Sequence, residues 1–151
     1  EKEGERKLDL NAVLNSSIDK SYFRKLKQGA DVTNEDGELV KNSTVTLPPP
    51  KAKSYAFCSD TAYNEAIVPI IKEADALYHE STFLEKNARL CEPTKHSSAK
   101  QAATIAKLAK VGKLILGHYS TRYDDLSLFK TEAETIFSNV ELADDGKVFE
   151  I

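Results

Sequence analysis

The sequence predicts an α/β fold, a parallel sheet with flanking helices, preceded by a helix and hairpin segment. Three observations predict it. From Ser54 onward, short strand-like apolar runs at 54–58, 76–79 and 113–116 alternate with segments whose apolar residues recur at helical spacing. That alternation implies parallel pairing through crossover connections. With 151 residues, 40% of them hydrophobic, the chain is long enough to bury such a core within about one ordinary domain.

Residues 1–50 form the less regular first segment. Ile18, Tyr22, Phe23 and Leu26 fall at helical spacing, and Gly29 is placed to end that helix. Arg24, Lys25 and Lys27 make it basic, which reads as a solvated face. Residues 30–32 and 38–40 flank the Asp36-Gly37 step of a hairpin turn. Pro48, Pro49 and Pro50 make a stiff connector without backbone donors.

Residues 51–151 are the α/β part. The run 54–58 (SYAFC) is expected as a buried strand. Residues 64–73 are expected as a helix that starts near Val68, since Pro69 is tolerated only in a first turn. Residues 98–109 carry the clearest helical signal. Ala102, Ile105, Ala106 and Ala109 make its apolar stripe, and Ser98 with Gln101 matches a capping box. Gly112 is expected to end it. Residues 126–137 read as an amphipathic helix through Leu128, Phe129, Ala133 and Ile136, and 140–142 and 148–151 as closing strands around Asp145-Gly146.

Composition and patterning bound the reading further. A net charge of −3 gives no electrostatic footprint for nucleic acid. No apolar run approaches the ~20 residues of a membrane helix, and no signal-peptide pattern opens the chain. Two cysteines, Cys58 and Cys91, are too few for a disulfide scaffold and suit the reducing cytoplasm. The chain has no Met and opens on Glu1-Lys2-Glu3, so it is expected to be a fragment of a longer protein.

In open parallel sheets, ligands bind beyond the carboxyl ends of the strands. Asp60 follows the first strand of the α/β part, His79 and Glu80 end the second, His118 follows the third, and His96 lies in the loop before the long helix. These residues are expected on one rim. Each also has a plain structural reading: Asp60 as a turn or cap, His79 as a core histidine, His96 as loop. A catalytic zinc takes three protein ligands, and no H-x-H, H-E-x-x-H or C-x-x-C is present. There is no nucleophile elbow, P-loop or dinucleotide fingerprint either.

Four segments in order carry a resemblance: Cys58-Ser59-Asp60-Thr61, His79-Glu80-Ser81-Thr82-Phe83, His96-Ser97-Ser98-Ala99, and the run from Leu114 through Gly117-His118-Tyr119-Ser120-Thr121-Arg122 to Tyr123. In order and spacing they resemble the carboxyl-terminal half of ribonuclease Z, the zinc-dependent transfer-RNA 3′-processing endonuclease family of the metallo-β-lactamase superfamily. The resemblance implies half of an αββα sandwich, in which two facing sheets hold two zinc ions, with residues 1–50 next to a substrate arm. It implies Asp60 and His118 as metal ligands, and Glu80 with His96 as the pair that hands a proton to the departing ribose oxygen. Ser120, Arg122 and Tyr123 would hold substrate phosphate, with His79 and Thr82 in support. Precursor transfer RNA, the missing amino-terminal half and a second copy of the protein are the implied partners.

The departures are equally specific. The family's H-x-H-x-D-H motif is absent, as is a further ligand histidine. Asp19-Lys20-Ser21-Tyr22 stands where a Gly-Pro pair is frequent, Ser81 where Ala is usual, and Ser98 where Thr is usual. Alone, the chain is expected to be inactive. Two other readings stand beside this one: another phosphodiesterase or hydrolase of the superfamily, and a non-catalytic dimerisation or RNA-docking module.

Overall fold

The structure, a computed structural model, describes residues 4–151. It comprises two compact units, Glu1–Ala52 and Lys53–Ile151.

In the first unit, β1 (Lys7–Leu8) leads into α1 (Leu10–Asn15), whose start is capped by the Asp9 carboxylate accepting the Ala12 amide at 3.1 Å. A short 3₁₀ turn runs into α2 (Phe23–Lys27), so the helix expected from Ile18 begins later, with Ile18 packed in the core before it. Strands β2 (Val32–Thr33) and β3 (Leu39–Val40) form the expected antiparallel hairpin. The Asn34 side chain organises its turn by accepting the Asp36 and Glu38 amides. Helix α3 (Asn42–Val45) and β4 (Thr46–Leu47) follow, and β4 pairs antiparallel with β1. Val13, Ile18, Leu26, Val32 and Val45 make a small core. The buried Asn42 is satisfied there, donating to the Leu26 carbonyl at 2.5 Å and accepting from the Thr46 hydroxyl at 2.9 Å.

The second unit is built on a four-stranded, all-parallel sheet in sequential order: β5 (Tyr55–Cys58), β6 (Ala76–Glu80), β7 (Leu114–Gly117) and β8 (Val140–Leu142). A short α4 (Cys91–Thr94) and the long α5 (Ala99–Ala109) lie between β6 and β7, and α6 (Ser127–Glu134) between β7 and β8. Helices α5 and α6 pack together on one face of the sheet around Leu77, Ile105, Leu114, Leu116, Phe129 and Val140. Every residue of β7 is buried, as expected of an inner parallel strand. One sheet with helices on a single face is the architecture of half an αββα sandwich.

Several local expectations are corrected. The strand at 54–58 is not buried: Tyr55 is 53% and Phe57 64% exposed, because β5 is an edge strand and its alternate residues point to the face without helices. Residues 64–73 hold only a 3₁₀ turn, Glu65–Ile67, followed by irregular turns. Pro69 has no amide to give to the Glu65 carbonyl, which stops the 3₁₀ turn from running on as an α-helix, and Glu73 in the left-handed region (φ 58°) leaves no length for a helix starting at Val68. Helix α5 ends at Lys110 in the left-handed region (φ 55°), not at Gly112. Gly112 is required for another reason: a Cβ there would fall 2.6 Å from the Asp75 carbonyl oxygen. Helix α6 is shorter than 126–137. Residues 148–151 pair with no strand among the described residues, and Lys113 Nζ donates to the Glu150 carbonyl instead.

The open sheet face carries a stacked aromatic pair, Phe57 and Tyr78, with ring centroids 4.7 Å apart. A cavity of about 400 Å³ beside it is lined by Tyr55, Phe57, Tyr78, Ile115, Phe149 and Ile151 among others.

Candidate active site

The sheet register assembles the site. Cys58 pairs with His79, His79 with Leu116, and Glu80 with Gly117. The carboxyl ends of β5, β6 and β7 are therefore level, and Asp60, Glu80 and His118 emerge at one edge. His96 comes from farther along the chain. A parallel bridge between Phe83 and Ser98 ties the loop before α5 to the chain leaving β6, with the Phe83 amide on the Ser97 carbonyl and the Ala99 amide on the Phe83 carbonyl. The capping box expected at Ser98 and Gln101 is formed and holds the start of α5 beside this loop.

Glu80 is the hub. Its carboxylate is fully buried and accepts five hydrogen bonds: from the Thr61 amide and His96 Nδ1 at 2.9 Å each on Oε1, and from the Thr82 hydroxyl, the Ser97 amide and the Thr82 amide at 2.7, 3.1 and 3.2 Å on Oε2. Burial pushes the carboxyl up, but the Thr82, Ser97 and His96 donors outweigh it and hold Glu80 below the ordinary glutamate range. It is a carboxylate at neutral pH.

The hydrogen-bond directions follow from this charge. Thr82 gives its one hydroxyl proton to Glu80, so its oxygen accepts from His118 Nδ1 at 3.0 Å. That leaves the lone pair of His118 Nε2 facing Asp60 Oδ1 at 3.2 Å. Two acceptors at that distance are bridged by a proton on the ring or by a metal cation held between them. Asp60, His96 and His118 each offer a ligand atom within 4.8 Å of the others, the only such trio among the described residues. The donor set suits zinc, and Thr82 fixes the His118 ring as a buried partner typically does for a metal-bound histidine. His96 differs. Its Nδ1 donates to Glu80, and Asp60 Oδ1 lies 3.8 Å away. Asp60 and His118 both take left-handed backbone conformations, φ 50° and 60°, which Asp and His tolerate better than most residues.

The remaining candidates divide. His79 does not join the rim. Successive residues of a strand point to opposite faces. The His79 ring is fully buried, donates from Nδ1 to the Glu80 carbonyl at 2.8 Å, and has no partner at Nε2 among the described residues. Arg122 is exposed, with Nε donating to the Ser120 hydroxyl at 2.9 Å and its guanidinium 5.2 Å over the Phe83 ring. The Tyr123 hydroxyl is engaged elsewhere, accepting the Leu84 amide at 3.1 Å and donating to Asn87 at 2.7 Å. The sequence did not point to the Thr61 and Ser97 amides that hold Glu80, because a backbone N–H carries no residue signature.

No family model matches the chain. Curated relatives do. The ribonuclease Z of Cytophaga hutchinsonii is 49% identical over 127 residues, and that of Parabacteroides distasonis 46% identical over 124, each alignment covering 82% of this chain. This chain is homologous to part of ribonuclease Z. It spans about 40% of the length of these ribonuclease Z relatives. Among solved structures, the metallo-β-lactamase fold protein YhfI of Bacillus subtilis matches 66% of this chain with a TM-score of 0.61 and 28% identity, over 40% of its own length. The sheet and its one-sided helices are thus part of a metallo-β-lactamase fold.

Proposed function

We propose that this chain is the carboxyl-terminal part of a zinc-dependent endoribonuclease that removes the 3′ trailer from precursor transfer RNA. The observation that carries the reading is the connected set Asp60, His118, Thr82, Glu80 and His96, in which one buried carboxylate orients both histidines. Asp60 and His118 are the residues that would hold zinc. The chemistry that zinc bound there would supply is stabilisation of the negative charge that develops as phosphate is attacked in line. His96, with Nδ1 on Glu80, is the proton donor to the departing ribose oxygen. A carboxylate behind an imidazole fixes the orientation of the ring and which nitrogen faces the substrate. Ser120 and Arg122 are the phosphate-holding groups, and Tyr123 keeps their loop on Asn87 and Leu84. Thr82 orients His118, and His79 pins the Glu80 carbonyl.

On this reading the rest of the protein supplies the remaining ligands, and the complete enzyme is a cytoplasmic dimer. Among the described residues no helix is long and apolar enough to cross a membrane. Another hydrolase of the superfamily would also use Asp60 and His118, but the Glu80–His96 pair and the ribonuclease Z relatives favour the nuclease.

The test is trailer removal from precursor transfer RNA by the full-length protein and its His96→Ala variant. The full-length protein should cleave, and the variant should lose ~10²–10⁴-fold in turnover with its zinc content unchanged. A full-length protein that loads zinc and leaves the precursor intact would overturn the reading. Zinc lost together with activity would make His96 a ligand.

A further inference from the structure

Beside His118 lies a cavity of about 270 Å³ lined by Tyr78, Gly117, His118, Tyr119, Leu126 and Asp144, with Ala143 and Asp145 completing it. None of the roles assigned above uses it. Tyr78 reaches it by an unusual path. Its ring lies across the end of β7, where a Cβ on Gly117 would fall 2.6 Å from Cε2 and 2.7 Å from Cζ, and closer still to the hydroxyl. Only glycine next to His118 permits this. Stacking on Phe57 holds the other side of the ring.

The polar groups of this cavity are unevenly engaged. The Tyr119 hydroxyl donates to the Leu116 carbonyl at 2.5 Å, whereas that of Tyr78 makes no hydrogen bond among the described residues. Burial, with Tyr55, Glu80 and Asp60 around it, holds the Tyr78 phenol above its ordinary range, so it keeps its proton. One Asp144 carboxylate oxygen accepts the Asp145 amide at 2.9 Å, and Asp144 forms no ion pair among the described residues. Lys147, the nearby base in sequence, is paired with Glu141 at 3.2 Å.

This lining selects its occupant. Two carboxylates in the lining, Asp144 and Asp145, disfavour a phosphate inside it. An acceptor and a phenol, in a lining that is as polar as it is apolar, suit a neutral group rich in hydroxyls. The volume lies just under the range of whole-ligand pockets, ~300–1,000 Å³, and fits a sugar rather than a nucleotide. We propose that this cavity seats the ribose of a nucleotide flanking the scissile phosphate, its 2′-hydroxyl donating to Asp144 while the Tyr78 hydroxyl donates to a ribose oxygen. The proposal rests on the nuclease reading and extends it: the site would recognise RNA as RNA next to the cut.

The experiment uses the zinc-loaded full-length protein and precursor transfer RNAs carrying a single 2′-deoxy nucleotide on one side of the cleavage position or the other. At one of the two positions the unmodified enzyme should lose about tenfold in kcat/KM, the worth of one hydrogen bond. Tyr78→Phe and Asp144→Asn should lose about tenfold on the all-ribose precursor. Asp144→Asn should then be indifferent to the deoxy substitution at that position, and both variants should keep wild-type zinc content and melting temperature. Equal cleavage of all-ribose and deoxy precursors by the unmodified enzyme, or an Asp144→Asn enzyme that keeps the full deoxy penalty, overturns the ribose site and leaves the nuclease reading standing. An unmodified enzyme that cleaves no precursor overturns both.

Discussion

At the scale of single residues, Glu80 couples stability to function. A carboxylate with five donors and no exposure cannot be protonated without leaving buried partners unmatched. Its folded pKa lies below the ordinary 4.5, so its contribution to stability is present above that value and lost as pH falls through the lower folded one. His79 acts in the same direction at higher pH. Burial holds it below the ordinary 6.5, so the unfolded chain takes up a proton there that the folded chain refuses. The melting temperature of the chain should fall as pH drops below 6.5 and fall more steeply below 4.5. A His79→Phe variant should lack the first decline, and a pH-independent melting temperature would contradict the assignment. Thr82→Val keeps the shape and removes the hydroxyl between Glu80 and His118. It should cost about 1–3 kcal/mol by denaturant unfolding and free the His118 ring, read as broadened imidazole resonances.

At the scale of elements, the fit between strand ends and helix starts positions the chemistry. The Ser98 capping box begins α5 where Ser97 and His96 must meet Glu80. Ser98→Ala should destabilise by about 1 kcal/mol in denaturant unfolding. Gly112 lets the turn after α5 lie against the Asp75 carbonyl. A methyl group there meets backbone rather than a mobile side chain, so Gly112→Ala should cost about 1–3 kcal/mol and exceed the Ser98→Ala effect. Equal effects from the two variants would show that the turn relaxes around the methyl group.

For the molecule as a whole, one-sided helix packing leaves the opposite sheet face bare, with Phe57 and Tyr78 stacked on it. The 151-residue chain by itself should associate through this face with rising concentration in sedimentation measurements. Phe57→Lys should reduce that association and, with Phe57 already 64% exposed, cost only the lost stacking on Tyr78, about 0.5–1.5 kcal/mol in denaturant unfolding. The same chain should neither cleave precursor transfer RNA nor retain zinc through dialysis. Asp60 and His118 give two ligands where a catalytic zinc needs three, and His96 Nδ1 is held by Glu80. Trailer removal by this chain, free of full-length enzyme by mass spectrometry, would refute that.

The alternation of strand-type and helix-type runs after Ser54 determined the parallel α/β architecture. It also determined the rim shared by Asp60, Glu80 and His118, because parallel strands end on one edge whatever their packing. The helix at 98–109 was legible through its stripe and capping box, both local properties of the chain. What the tertiary structure decided was non-local. Exposure of β5 depended on which face the helices cover, and loss of the 64–73 helix on whether its neighbours could outweigh Pro69. His79 and Glu80 are adjacent in sequence, but strand alternation parted them, so only Glu80 reached the histidines. The amides of Thr61 and Ser97, which make a buried carboxylate tolerable, come from loops brought together only by the sheet register and the Phe83–Ser98 bridge. Backbone donors are common to every residue, and only the fold determines which of them face a charge.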